Sequence, residues 1–293
     1  MLELSDLLKK SEENSSVLPD LLSESSILTR NILQGLHSTR FSGKGEAFWQ
    51  FKEYRQGDNI GSIDWRKSAS SNKFLVREKE NETSEIIYFY YDTSQSMNFR
   101  SSKTLKSKYY IAVLISLTLS RIFLRNRENI YLFNNKKIPI KCSYNLKNFD
   151  LSFLSESQTN AFPNEASFKS NSNVIILSDF FYNSNLIKDF IYKLKKKNIS
   201  GYLLHILDPE EISFKIGTNV LLNDLETNKK LLLGNSSFIE EKYKENLNRL
   251  FSELQVISKE NNWSYMLYNT EKKLSNFLLN LIQKILLKKN KIA

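Results

Sequence analysis

Residues 86–97 read Ile-Ile-Tyr-Phe-Tyr-Tyr-Asp-Thr-Ser-Gln-Ser-Met. The unbroken apolar run Ile86–Tyr91 predicts a strand buried on both faces. Asp92, Ser94 and Ser96 then fall in a turn at its carboxyl end, where open α/β sheets collect their ligands. Aspartate, x, serine, x, serine offers only oxygen, which suits a hard divalent cation. The same five residues would also serve as a helix N-cap loop, with Ser94 or Ser96 accepting from the first free N–H groups.

Downstream, the spacing predicts a helix over Ser107–Leu124 and a short strand over Asn129–Phe133. Asn173–Leu177 is a strand candidate ending in Ser178-Asp179, Asn185–Lys197 a helix, and Gly201–Leu207 a strand closing on Asp208-Pro209. Asn219–Leu233 reads as a two-stranded ribbon. A helix over Ile239–Glu260 carries Tyr243, Leu247, Leu250, Leu254 and Ile257 on one stripe. Trp263–Tyr268 is a last strand, and Leu274, Phe277, Leu281 and Ile285 mark a final helix. Apolar strands alternating with amphipathic helices define an α/β class: a mostly parallel, Rossmann-like sheet with helices on both faces. If strands 86–91 and 174–178 are neighbours, Asp92 and Asp179 converge on one crevice. Ser94 and Ser96 would then coordinate a Mg²⁺ directly, while the two aspartates hold its waters.

Upstream, residues 1–36 read as helical and 37–82 as a small β-rich element, leaving 83–293 as the α/β domain. Phe48–Tyr54 alternates like a strand, Arg55–Asp58 reads as a turn, and Lys73–Glu80 is a second strand. Gly57 supplies a positive φ and Asp58 an Asx-type bond. Arg55 and Arg66 are placed to pair with Asp58 and Asp64, and Trp65 to anchor the element.

A single cysteine, Cys142, among 293 residues excludes an internal disulfide and, with only His37 and His205, a soft-metal cluster. His205, inside an apolar strand-like run, reads as a core histidine. The amino-terminal stretch has no apolar signal-like region, and Tyr109–Leu124 falls short of the roughly 20 residues that span a bilayer. These features lead to the expectation of a cytoplasmic chain without a membrane span. The net charge of +10 invites nucleic acid. Its lysines, however, cluster at helix ends, and no alternation of aromatic and basic residues accompanies them. Neither a GxSxG elbow, a Walker A loop nor a GxGxxG turn is present. A metal-assisted hydrolase using Asp92 and Asp179 is the enzyme reading that remains conceivable.

GEAFWQFKEYRQGDNIGSIDWRKSAS (45–70), followed by LVREKENETSEIIYFYYDTSQSM (75–97), Leu177-Ser178-Asp179-Phe180 and Leu207-Asp208-Pro209, resembles the domain-of-unknown-function 58 family. The similarity is greatest to its soluble alphaproteobacterial branch. The resemblance implies a von Willebrand factor A-like domain preceded by a signature segment that includes Arg55, Gly57, Asp58, Asp64, Trp65 and Arg66. It also implies a metal-ion-dependent adhesion site. Asp92, Ser94 and Ser96 match its first motif, Asp179 its last, and Thr159 lies in the interval of its middle threonine. The implied cofactor is Mg²⁺, or Mn²⁺ or Ca²⁺ in its place. The implied partners are a MoxR-type AAA+ ATPase and other von Willebrand factor A-type proteins. The resulting expectation is a non-enzymatic, divalent-metal-dependent protein-interaction module, chaperone-like in the assembly or maturation of a protein complex. The rival is a metal-independent scaffold in which Ser94 and Ser96 cap a helix.

Overall fold

A computed structural model describes residues 20–35, 48–71, 73–79, 84–133, 137–143, 162–182, 184–214, 220–223, 230–233 and 237–289. The chain divides into two compact units, a smaller one over 40–84 and a larger one holding the described residues 20–35 and 85–289.

In the smaller unit, β1 (Phe48–Glu53) pairs antiparallel with β2 (Leu75–Lys79). Between them lie the single 3₁₀ turn Ile60–Ser62 and the short helix α2 (Trp65–Ser68). Gly57 has φ 109°, a conformation that glycine adopts without a steric penalty.

Among the described residues, the larger unit opens with helix α1 (residues 20–35) and is built on a six-stranded sheet. Its strands are β3 (Ile86–Tyr91), β4 (Asn129–Phe133), β5 (Pro139–Lys141), β6 (Asn173–Ser178), β7 (Ser200–Leu207) and β10 (Ser264–Asn269). The order across the sheet is β10-β7-β6-β3-β4-β5, all parallel except the edge pair β4–β5. The order confirms the mostly parallel α/β expectation. Edge strand β5 falls in a stretch without sequence periodicity, and it opens on Pro139, a residue that sheets tolerate at an edge.

The remaining helices are α3 (Lys108–Arg125), α4 (Ser184–Lys196), the single turn α5 (Pro209–Ile212), α6 (Ser237–Glu260) and α7 (Leu274–Lys289). A separate antiparallel ribbon joins β8 (Val220–Asn223) to β9 (Lys230–Leu233). Among the described residues, no helix is long and apolar enough to cross a membrane.

Strand β3 shows how the core is divided. Tyr88 and Tyr90 point into an aromatic layer with Phe133, Phe162, Phe168 and Phe190, which α4 and α6 cover. Phe89 and Tyr91, on the opposite face, meet Phe123 and Tyr109 of α3. The two-residue period thus feeds both layers, which explains why the strand is continuously apolar. Helix α3 is buried along most of its length. Its Ser116 and Thr118 hydroxyls donate to the carbonyls of Ala112 and Leu114 at 2.9 and 2.7 Å, which satisfies them within the helix. Arg121 reaches out to the Ser25 hydroxyl and the Leu22 carbonyl of α1, so this charge fits a buried helix without being stranded.

Candidate functional site

Strand β3 is followed by β4 on one side of it, and the chain then returns to lay β6 on the other. The β3–β6 boundary is therefore a topological switch point, where the connecting segments diverge and leave a crevice. Asp92 and Asp179 are the first residues past these two strands. The Asp92 N–H donates to the Leu177 carbonyl at 2.8 Å, extending the ladder up to the crevice itself.

The Asp92 side chain is buried and fully engaged. One oxygen accepts from the Ser94 N–H at 2.8 Å, and the other from the Ser178 hydroxyl at 2.7 Å. Tyr182 donates a further hydrogen bond to the carboxylate. Burial and the neighbouring Asp179 nevertheless hold the Asp92 carboxyl above its ordinary range. Lys137 is also within electrostatic reach of Asp92.

Ser94 precedes a 3₁₀ turn, Gln95–Asn98, and its hydroxyl makes no capping bond to it. It meets the Ser96 hydroxyl at 3.1 Å instead. Helix α3 is capped by Ser107, whose hydroxyl accepts from the Tyr110 N–H. The helix-cap role weighed for Ser94 and Ser96 is therefore not what the structure shows, because Ser107 already fills it.

Asp179 is held differently. Its Oδ2 accepts from Lys108 Nζ at 2.8 Å, and its Oδ1 from the Phe181 N–H at 3.3 Å. Lys108 is the first residue of α3, and its side chain has no exposed surface. The same ammonium donates to Glu211 of α5. The rings of Phe181 and Phe99 lie 5.3 and 6.0 Å from it. Glu211 also accepts from the Asp208 N–H at 2.8 Å, while the Asp208 carboxylate accepts from the N–H groups of Ser101 and Glu210. This reciprocal capping box fixes α5 beneath the ammonium. Phe180, next to Asp179, is fully buried with φ 53°, a conformation that costs a bulky residue about 1–2 kcal/mol. Its N–H donates to the Ser178 hydroxyl, which ties the strained turn to the group that holds Asp92.

Of the expected cation ligands, the structure brings Asp92, Ser94, Ser96 and Asp179 to one switch point. Thr159 lies outside the described residues. The paired hydroxyls of Ser94 and Ser96 suit a hard cation. Asp179 does not: its Oδ2 already carries an ammonium that water does not reach. As a set, the residues do not fit a divalent ion that shares Asp179. No group of three or more His, Cys, Asp or Glu side chains that could hold a metal occurs among the described residues.

In the smaller unit, Asp58 is paired by Lys52 at 2.9 Å, and it accepts the Arg55 N–H at 2.9 Å. Lys52 is thus the ion-pair partner expected of Arg55, because the β1 lysine projects toward the turn that Asp58 closes. The Lys52 bond, aided by Arg55, lowers the Asp58 carboxyl below its ordinary range. Asp64 caps α2 by accepting the Lys67 N–H at 2.9 Å. Trp65 is 60% exposed and meets Phe74 edge-on. Arg66 lies in α2 and is exposed.

Sequence reasoning missed Lys108, Ser178, Tyr182 and Glu211. One signal was available for Lys108: a lysine in the first turn of a helix opposes the helix dipole and calls for an anionic partner.

Residues 50–148 match the family described as "Protein of unknown function DUF58". That span includes Arg55, Gly57, Asp58, Asp64, Trp65, Arg66, Asp92, Ser94, Ser96 and Lys108, and it stops short of Asp179 and Glu211. No curated protein matches the chain. Among solved structures, the conserved hypothetical protein BatB from Bacteroides thetaiotaomicron is 13% identical, with a TM-score of 0.35. An aerotolerance-related membrane protein from Bacteroides fragilis NCTC 9343, crystallised with multiple mutations to serines, is 14% identical, with a TM-score of 0.36. Each overlap covers 69% of this chain and 98% of the other.

Proposed function

We propose that this chain is a non-enzymatic protein-interaction module that docks a partner at the β3–β6 crevice. The partner proposed is a MoxR-type AAA+ ATPase, acting in the assembly or maturation of a protein complex. The ATPase follows from the signature resemblance, while the mode of docking follows from the site. The observation that carries the reading is how the polar groups of the crevice are spent. Both Asp92 oxygens accept hydrogen bonds, and Asp179 is neutralised by Lys108. Ser94 faces Ser96 rather than a base. His205 is fully buried with its Nδ1 on the Tyr265 hydroxyl at 2.9 Å, and away from the crevice, beside edge strand β5, burial pushes the Cys142 thiol up to about 12. Such an arrangement supports a rigid surface better than an activated nucleophile. At its rim stand Ser96, half-buried, and Phe181, 43% exposed, which together offer a polar and an apolar contact.

A pull-down of the ATPase with the wild-type chain, Ser96→Trp and Phe181→Ser tests the reading. Capture by the wild type and loss in both variants is expected. Undiminished capture by both variants would remove the crevice as the docking surface. A second reading keeps a Mg²⁺ or Mn²⁺ at the crevice as a bridge to the partner, and the convergence of the Ser94 and Ser96 hydroxyls favours it.

A further inference from the structure

We propose that the Lys108 ammonium is the permanent cation of this crevice and that the site works without a divalent metal. The inference rests on the crevice being the docking surface only for its consequence, that partner binding is indifferent to metal.

The geometry supports it at four points. First, Lys108 Nζ lies 2.8 Å from Asp179 Oδ2 and bonds Glu211 as well, so one ammonium spans a carboxylate at the end of β6 and another on α5. Second, the ammonium is sealed: its side chain has no exposed surface, and the rings of Phe99 and Phe181 flank it. A lysine is almost never fully buried unless its charge is paired. Third, the position is costly by default. The first turn of α3 is the positive end of that helix, so a cation belongs there only if anions more than compensate for the dipole. Fourth, neither oxygen of Asp179 stands idle: beside the ammonium on Oδ2, Oδ1 accepts the Phe181 N–H at 3.3 Å. A divalent ion on Asp179 would have to share a carboxylate with a fixed positive charge, in a place where solvent cannot screen the repulsion.

The ammonium can be removed. Lys108→Ala would leave Asp179 and Glu211 facing one vacated volume, an oxygen-only pair of the kind that hard cations take.

The test is a Mn²⁺ titration of the full chain, followed by the resonance of free Mn²⁺, for wild type, Lys108→Arg and Lys108→Ala, with circular dichroism confirming the fold of each. The expected result is no saturable binding at millimolar Mn²⁺ by wild type or Lys108→Arg, and saturable binding by Lys108→Ala with a Mn²⁺-dependent rise in its melting temperature. Saturable binding by the wild type that Ser94→Ala abolishes would overturn the proposal. So would a folded Lys108→Ala chain that binds nothing, since the ammonium would then not be holding a cation's place. If Lys108→Ala does not fold, the wild-type titration decides. No partner takes part in the measurement, so its outcome is separate from whether the crevice docks one.

Discussion

Lys108 at the start of α3 and Asp179 at the end of β6 form a buried ion pair of 2.8 Å, with side-chain exposures of 0% and 2%. The pair joins a helix terminus to a strand terminus across the switch point, and Glu211 completes it from α5. Removing one member leaves an unpaired buried charge. Lys108→Met is therefore expected to cost about 3–5 kcal/mol in urea denaturation. Lys108→Met with Asp179→Asn should cost measurably less than the sum of the single changes.

The pair also sets an alkaline limit. Burial pulls the ammonium down, and Asp179 and Glu211 more than reverse this, holding it above the ordinary 10.5. A raised folded value contributes stability that is complete below 10.5 and is lost as pH rises through the folded value. Stability should thus be insensitive to this group through neutral pH and decline only in strongly alkaline buffer. Lys108→Met should lack that decline.

His205 sets an acid limit of the opposite sign. Burial among Phe180, Phe251 and Tyr265 pushes it down to about 3 from 6.5. Below 6.5 the unfolded chain takes up a proton that the folded chain refuses. Stability should therefore fall by about 1.4 kcal/mol per pH unit on this account, down to about pH 3. His205→Phe should flatten that part of the acid profile in urea titrations at stepped pH.

Gly201 of β7 pairs with Val174 of β6. A Cβ there would lie 2.1 Å from the Val174 carbonyl oxygen and 3.0 Å from the Trp263 ring. Gly201→Ala is expected to destabilise the fold by about 1–3 kcal/mol or more, because the strands must separate to admit it. Thermal unfolding would show this as a lowered midpoint.

Trp65 gives the contrasting case. Its exposure and its edge-on contact with Phe74 predict that Trp65→Ser changes stability by no more than about 0.5 kcal/mol. If the signature unit contributes to docking, the same variant should weaken capture of the ATPase.

The strands that build the crevice were legible because each is a short apolar run ended by an acid: Tyr91-Asp92 and Ser178-Asp179 carry their position in the local pattern. Their adjacency was legible only as a condition, since strand order depends on pairings such as Ile87 with Asn173. Lys108 was illegible as a site residue because its partners lie 71 and 103 positions away. Strand β5 escaped because three residues are too few to show a period. Asp58 was recognised as a turn residue, but its partner depended on side-chain reach, which favoured Lys52 over the nearer arginine.

The central claim is that the crevice between Asp92 and Asp179 is a docking surface for a protein. Its most direct test is isothermal titration of the purified chain with the MoxR-type ATPase of the same cell, in magnesium buffer throughout, for wild type and Phe181→Ser. The account predicts saturable binding by the wild type and its loss in a folded Phe181→Ser chain. Equal affinity for the two would contradict it.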